Sequence, residues 1–177
     1  MVKQLATRQT TSKSGFYSKA FKEGIEILKD EIQLAIQWQR PSILLAVHNS
    51  KLGQLKAQQA LELELQKTSK KVEWIKTNSK TPDVISIMCN FPNRSQIVFF
   101  VSGIGNAEEI ISGDVYRALN FHRELLVEHH IRVVFWFTKN EAASLPHQAP
   151  DFWAFRHRVI EFAPSRGTTK DTSHGKN

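Results

Sequence analysis

The chain has 177 residues, a formal net charge of +7, 41% hydrophobic and 23% charged residues, and one cysteine. That length and balance suit one globular domain with a sizeable core. The lone Cys89 excludes an internal disulfide framework and a cysteine-built zinc site. No apolar run nears the roughly 18 residues that a membrane span needs.

Residues 15–38 read as an amphipathic helix starting at Ser14 and Gly15, since Phe21, Ile25, Leu28, Ile32 and Ala35 or Ile36 recur at helical spacing. Pro41 breaks it, and Ser42-Ile-Leu-Leu-Ala-Val47 is a continuous apolar run suited to a strand buried on both faces. His48, Asn49 and Ser50 form a turn. A helix over 51–69 follows, with Leu52, Leu55, Leu61 and Leu65 as its expected apolar side. Residues 72–76 read as a strand nearer a sheet edge, because they partly alternate. Asp83, after Pro82, opens a short helix to Asn90.

Gln96-Ile-Val-Phe-Phe-Val101 is a third buried strand, running into Ser102-Gly-Ile-Gly105. A helix over 113–130 and a fourth strand over 132–137 come next. A single helical turn over 141–145 should stop at Pro146, another short helix covers 151–158, and 159–162 is a last strand. Helix and strand alternate throughout. The expectation is a three-layer α/β domain, with a mainly parallel five-stranded sheet and helices on both faces.

The charge is unevenly spread. The arms 1–14 and 163–177 carry +3 and +2 of the +7, which leaves +2 for 15–162. The arms are rich in Ser, Thr, Gly and Lys and read as a disordered basic arm and a disordered polar tail around one domain at 15–162. Nucleic-acid binding through them is a secondary reading, since a folded nucleic-acid module more often carries a basic stripe on its ordered face.

In open parallel sheets, ligands bind beyond the carboxyl ends of the strands. A phosphate loop there needs G-x-x-x-x-G-K-[ST]: amides to cradle phosphates, a lysine to neutralise them and a hydroxyl for magnesium. Aligned on Gly53, the chain has His48 for the first glycine, Gln54 for the lysine and Leu55 for the hydroxyl. Where a metal-binding acid would follow strand three, it has Ser102 and Gly103. The frame looks like a nucleotide-binding fold from which the hydrolytic groups are missing.

Phe16-Tyr17 through Arg40-Pro41-Ser42-Ile-Leu-Leu-Ala46, Tyr116-Arg-Ala-Leu-Asn120 with Arg123-Glu124, Ile131–Trp136 and Ala149-Pro-Asp-Phe-Trp-Ala-Phe-Arg-His-Arg158 with Glu161-Phe162 carry a resemblance. They resemble the N-terminal P-loop-like module, with a degenerate Walker A motif, of bacterial STAND-type and tetratricopeptide-repeat signalling proteins. The resemblance spans about 15–162 and implies a P-loop NTPase-like fold and a part in signalling or defence. The chain departs from that pattern by ending in a short polar tail.

Three readings follow. The favoured one is a non-catalytic regulatory or protein-interaction module of the cytoplasm, with a protein partner, no membrane association, no catalytic residue, and no cofactor beyond weak nucleotide binding. The alternative is a nucleotide switch or atypical ATPase, with His48, Asn49, Ser50, Lys51 and Gly53 as a degenerate phosphate turn, because a helix N-terminus attracts anions even without the motif. The third is nucleic-acid binding through the arms. Trp153 and Arg156, three apart on a helix, are a candidate partner anchor. Adjacent His129 and His130 diverge too far on a helix to chelate one ion, so no metal is expected. Cys89, beside Met88, reads as a buried, inert thiol.

Overall fold

A computed structural model describes residues 18–77, 83–105 and 109–162, without the side chains of 109–113. The expectations for the arms at 1–14 and 163–177 and for the loop at 78–82 lie outside these residues. The elements in chain order are α1 (Lys19–Gln37), β1 (Ser42–His48), α2 (Lys51–Gln66), β2 (Lys71–Lys76), α3 (Val84–Cys89), β3 (Ile97–Ser102), α4 (Glu109–Glu128), β4 (Arg132–Thr138), α5 (Lys139–Gln148), α6 (Pro150–Phe155) and β5 (Arg158–Phe162). A 3-10 turn at Arg94–Gln96 leads into β3.

The strands form one parallel sheet in the order β2-β3-β4-β1-β5. β1 is buried at every residue, and β3 and β4 at all but the last. Their unbroken apolar runs follow from having helices on both faces. β2 and β5 are the edges and show mixed burial, as the partly alternating 72–76 suggested. α1 and α2 cover one face, where Leu28, Ile32, Leu61 and Leu65 meet Phe100, Trp136 and Phe162. α3 to α6 cover the other, where Ile85, Leu119, Leu145 and Phe152 meet Phe99, Val133 and Phe135. This is the three-layer α/β frame expected, with a parallel five-stranded sheet and helices on both faces.

α1 buries Phe21, Ile25, Leu28, Ile32 and Ala35, the stripe read from spacing, and Ser18 caps it by accepting from the Phe21 N–H. Gly24 lets it lie on β5, since a Cβ there would come within 2.9 Å of the Phe162 ring. Asp83 caps α3 as read, accepting from Ser86 N–H at 3.1 Å.

Four readings need correction. The short helix expected over 151–158 ends at Phe155, because Arg156 is extended and Arg158, already in β5, pairs with Leu44. The buried side of α2 is Gln54, Ala57, Gln58, Leu61 and Leu65, while Leu52 and Leu55 are 62% and 40% exposed. With Leu63, also exposed, they form a second apolar line on the opposite side of the helix. Leu61 and Leu65 are buried as expected, but Gln54 and Gln58 rather than Leu52 and Leu55 complete the core-facing side. Pro146 lies inside α5 rather than after it. Proline removes one backbone hydrogen bond, and burial of Leu145 and Ala149 on the sheet outweighs that loss. α4 starts at Glu109, before the glycine taken as its boundary.

The two faces of α2 give a direct contrast. Leu61→Ala should cost about 2–5 kcal/mol of unfolding free energy by loss of buried volume. Leu55→Ser should stay within about 0.5 kcal/mol of the parent, as exposed positions do. Denaturant unfolding of both variants checks the assignment.

Candidate functional site

The carboxyl ends of β1 to β4 open on a crevice of about 390 Å³. β1 brings His48, the following turn Asn49 and Ser50, α2 Lys51 and Gln54, β2 Lys76, β3 Ser102, β4 Trp136 and Thr138, and α5 Glu141. The structure therefore gathers His48, Asn49, Ser50 and Lys51 at one place. Gly53 is not part of the lining; it lies three residues inside α2.

Only Asn49 and Ser50 separate β1 from α2. The Ser50 hydroxyl accepts from the Gly53 N–H at 3.0 Å, an ordinary N-cap. The Ser50 carbonyl takes the Gln54 N–H at 2.9 Å. Asn49 Nδ2 donates to the Phe162 carbonyl at 3.1 Å and ties the turn to the end of β5. Lys51 Nζ donates to Gln54 Oε1 at 3.1 Å. A phosphate loop wraps its anion in several successive free amides; here the turn is too short to wrap, and the Gly53 amide is already used.

Glu141 is the carboxylate that sequence reading missed. Its Oε1 accepts from Gly105 N–H at 2.7 Å and its Oε2 from Thr138 N–H at 2.6 Å, while Thr138 Oγ1 accepts from Glu141 N–H at 3.2 Å. The two carboxylate oxygens thus serve as backbone acceptors, one in a capping box at the start of α5 and one across to the β3 loop. The capping pattern Thr138-x-x-Glu141 was legible in the sequence; the bridge to Gly105 was not. A Cβ on Gly105 would come within 2.6 Å of Glu141 Cγ, so glycine there admits the bridge.

His48 and Trp136 are buried, and His48 Nδ1 and Trp136 Nε1 have no hydrogen-bond partner among the described residues. Burial, reinforced by the Lys51 charge, pulls the His48 pKa below the ordinary histidine value against the opposing effects of Glu141 and the Ser50 backbone. The crevice therefore presents a neutral imidazole, an indole N–H and two flanking lysines: polar recognition groups, with Glu141 committed to the backbone. Among the described residues no group of three His, Cys, Asp or Glu side chains could hold a metal ion.

Trp153 and Arg156 meet as their spacing suggested. The Arg156 guanidinium lies 3.5 Å from the Trp153 ring centroid and donates to the Trp153 carbonyl. Trp153 is half-buried against the core beside fully buried Phe152. The start of α6 is capped from α4, where Asn120 Oδ1 accepts from the N–H groups of Asp151 and Phe152, both at 3.0 Å. The segments around Asn120 and around Asp151–Phe152 are thus packing partners. Cys89 is buried, which raises its thiol pKa, and its Sγ faces the Leu125 carbonyl. His129 Nδ1 lies 3.2 Å from Arg94 Nη2, while His130 adopts φ 53° just past the end of α4.

No family model matches the chain, and no curated protein does. Solved structures similar to it include the Aeropyrum pernix ORC2 protein in its ADP form, at 11% identity and a TM-score of 0.49, over 81% of this chain and 47% of that one. The Thermotoga maritima RuvB Holliday junction branch migration motor matches at 12% identity and 0.46, over 80% of this chain and 44% of that one. Drosophila ORC bound to DNA matches at 13% and 0.42, over 92% and 36%. The chain spans less than half of each. Among the described residues no helix is long and apolar enough to cross a membrane.

The depressed pKa of His48 makes stability depend on pH, and His157, depressed chiefly by burial and further by Arg40, adds to it. His157 Nδ1 accepts from the Ile43 N–H at 3.1 Å, which requires an unprotonated nitrogen there. The unfolded chain binds protons more readily at both sites, so stability should fall as pH drops from about 7 to about 5. Thermal unfolding across that range should show a shallower fall in His48→Gln than in the parent.

Proposed function

We propose that the domain is a non-catalytic, P-loop-like module that works through protein contacts in regulation, in a setting like that of the STAND-type and tetratricopeptide-repeat proteins it resembles. The observation that carries this reading is the two-residue turn between β1 and α2, with Ser50 occupying the Gly53 amide. Hydrolysis of a nucleotide needs a wrapped phosphate, a lysine on it, a hydroxyl and an acid for magnesium. The turn supplies no wrap, and Gln54, Leu55 and Ser102 stand where the other groups are required. Glu141 could replace the missing acid only by releasing two backbone amides.

The exposed line of Leu52, Leu55 and Leu63 on α2 adds support, because three leucines on one solvent-facing side contribute nothing to the core of the isolated domain.

The test is thermal unfolding with and without millimolar ATP or ADP and magnesium. The expected result is no shift that depends on Lys51. A nucleotide present at a hundredfold excess over its dissociation constant would stabilise the protein by about 2.7 kcal/mol. Such a shift in the parent, abolished in Lys51→Ala, overturns the reading in favour of a nucleotide switch seated on the 48–51 turn.

A further inference from the structure

A second basin lies at the opposite end of the sheet, where the strands begin. It has a volume of about 590 Å³. Lys70 comes from the entry to β2, Arg94 from the turn before β3, His129 and His130 from the end of α4, and Arg132 from the start of β4. No Asp or Glu lines it.

The cations there lack the carboxylate partners that several cations elsewhere in the fold possess. Arg158 pairs with Glu31 at 3.2 Å, and Lys71, next to Lys70, pairs with Glu73 at 3.2 Å. Lys70 Nζ instead donates to the neutral Gln96 Oε1 at 2.9 Å, and Arg94 faces the His129 ring. Arg132 is the decisive member. It is only 5% exposed, burial lowers its pKa, and its Nη1 and Nη2 reach the carbonyls of Ser95 and Ala35 at 2.9 and 3.5 Å. Its Nε has no hydrogen-bond partner among the described residues. Two carbonyls offer partial charges where a buried guanidinium calls for an anion.

We propose that this basin is a binding site for the phosphoryl group of a small phosphorylated molecule. Three permanent cations call for more than one negative charge, which a carboxylate lacks and a phosphate dianion supplies, and guanidinium forks match tetrahedral oxyanions. The volume exceeds that of bare phosphate and falls in the range of small-molecule sites. Ile36, in the same lining, offers apolar surface to the rest of the ligand. The cations converge on one basin, and that convergence favours a compact ligand over a nucleic-acid backbone, which would follow a stripe. The site is separate from the strand-end crevice and does not depend on how that crevice is read.

The test uses the full chain and inorganic phosphate as probe, against chloride at matched ionic strength, read by amide chemical shifts and by thermal unfolding. The expected result is saturable binding that moves amides of residues 93–96 and 129–132. Arg94→Ala should weaken it by at least about tenfold, equivalent to 1.4 kcal/mol, and Lys19→Ala, at an exposed position outside both sites, should leave it unchanged. Lys70→Ala is the second variant and should also weaken it, so the test survives if Arg94→Ala fails to fold. Absence of saturable binding, or binding indifferent to both substitutions, overturns the proposal. A short single-stranded oligonucleotide that binds the same residues more tightly than phosphate, with an affinity falling steeply with salt, would replace the small molecule by nucleic acid and overturn it too.

Discussion

Everything else in this fold depends on burying β1. The strand has no exposed residue, and it is hydrogen-bonded to β4 on one side and to β5 on the other. A strand in that position has its backbone groups satisfied and its side chains shared between both helical layers, so it fixes the sheet in register. Alternate residues Leu44 and Ala46 face α1 and α2, while Ile43 and Leu45 face the opposite layer. Because the chain enters β2 only after crossing β4 and β3, the end of β1 stands where the direction of winding reverses. In parallel sheets that is where a ligand crevice forms, because the flanking helices leave in opposite directions.

What that crevice can do is set by how its backbone amides are used. At two of its corners the amides that could have met an anion are held by side chains of the protein itself. Ser50 takes the Gly53 amide, and Glu141 takes those of Gly105 and Thr138. The Glu141 bridge joins the β3 loop to the start of α5 and lies next to His48 across the crevice. These contacts tie the rim of the crevice together. His48 and Trp136 each keep a polar atom without a hydrogen-bond partner among the described residues, so the crevice retains recognition capacity.

The basic character of the chain is likewise a matter of placement. The segment 15–162 carries only +2, which by itself suggests no charged site. Folding brings Lys70, Arg94 and Arg132, far apart in sequence, to the entry side of the sheet, while Glu31 and Glu73 go to other partners. A nearly balanced segment thereby acquires a local concentration of one sign. Net charge reports solubility and long-range attraction, and only the fold reports where the charge collects.

The layer architecture was legible in the sequence because it rests on local rules. Long apolar runs flanked by breakers make strands buried on both faces, a helical spacing from Phe21 to Ala35 places α1, and Asp83 marks the start of α3. The residues of the β1–α2 turn were legible as well, since that turn must follow the first strand. The buried face of α2 was legible only at Leu61 and Leu65, because Gln54 and Gln58 are also core-facing and the neighbouring elements decide which side a mixed helix buries. Nor was the continuation of α5 through Pro146, where tertiary packing overrides a local penalty. The Glu141 bridge to Gly105 and the basic basin at the other end of the sheet lie further still from the sequence. Each joins residues more than thirty positions apart, so hydrophobic period and spacing carry no trace of them. The sequence by itself determined the layers and the position of the first turn; the tertiary structure decided which polar groups face one another, because that depends on contacts between segments that no local rule couples.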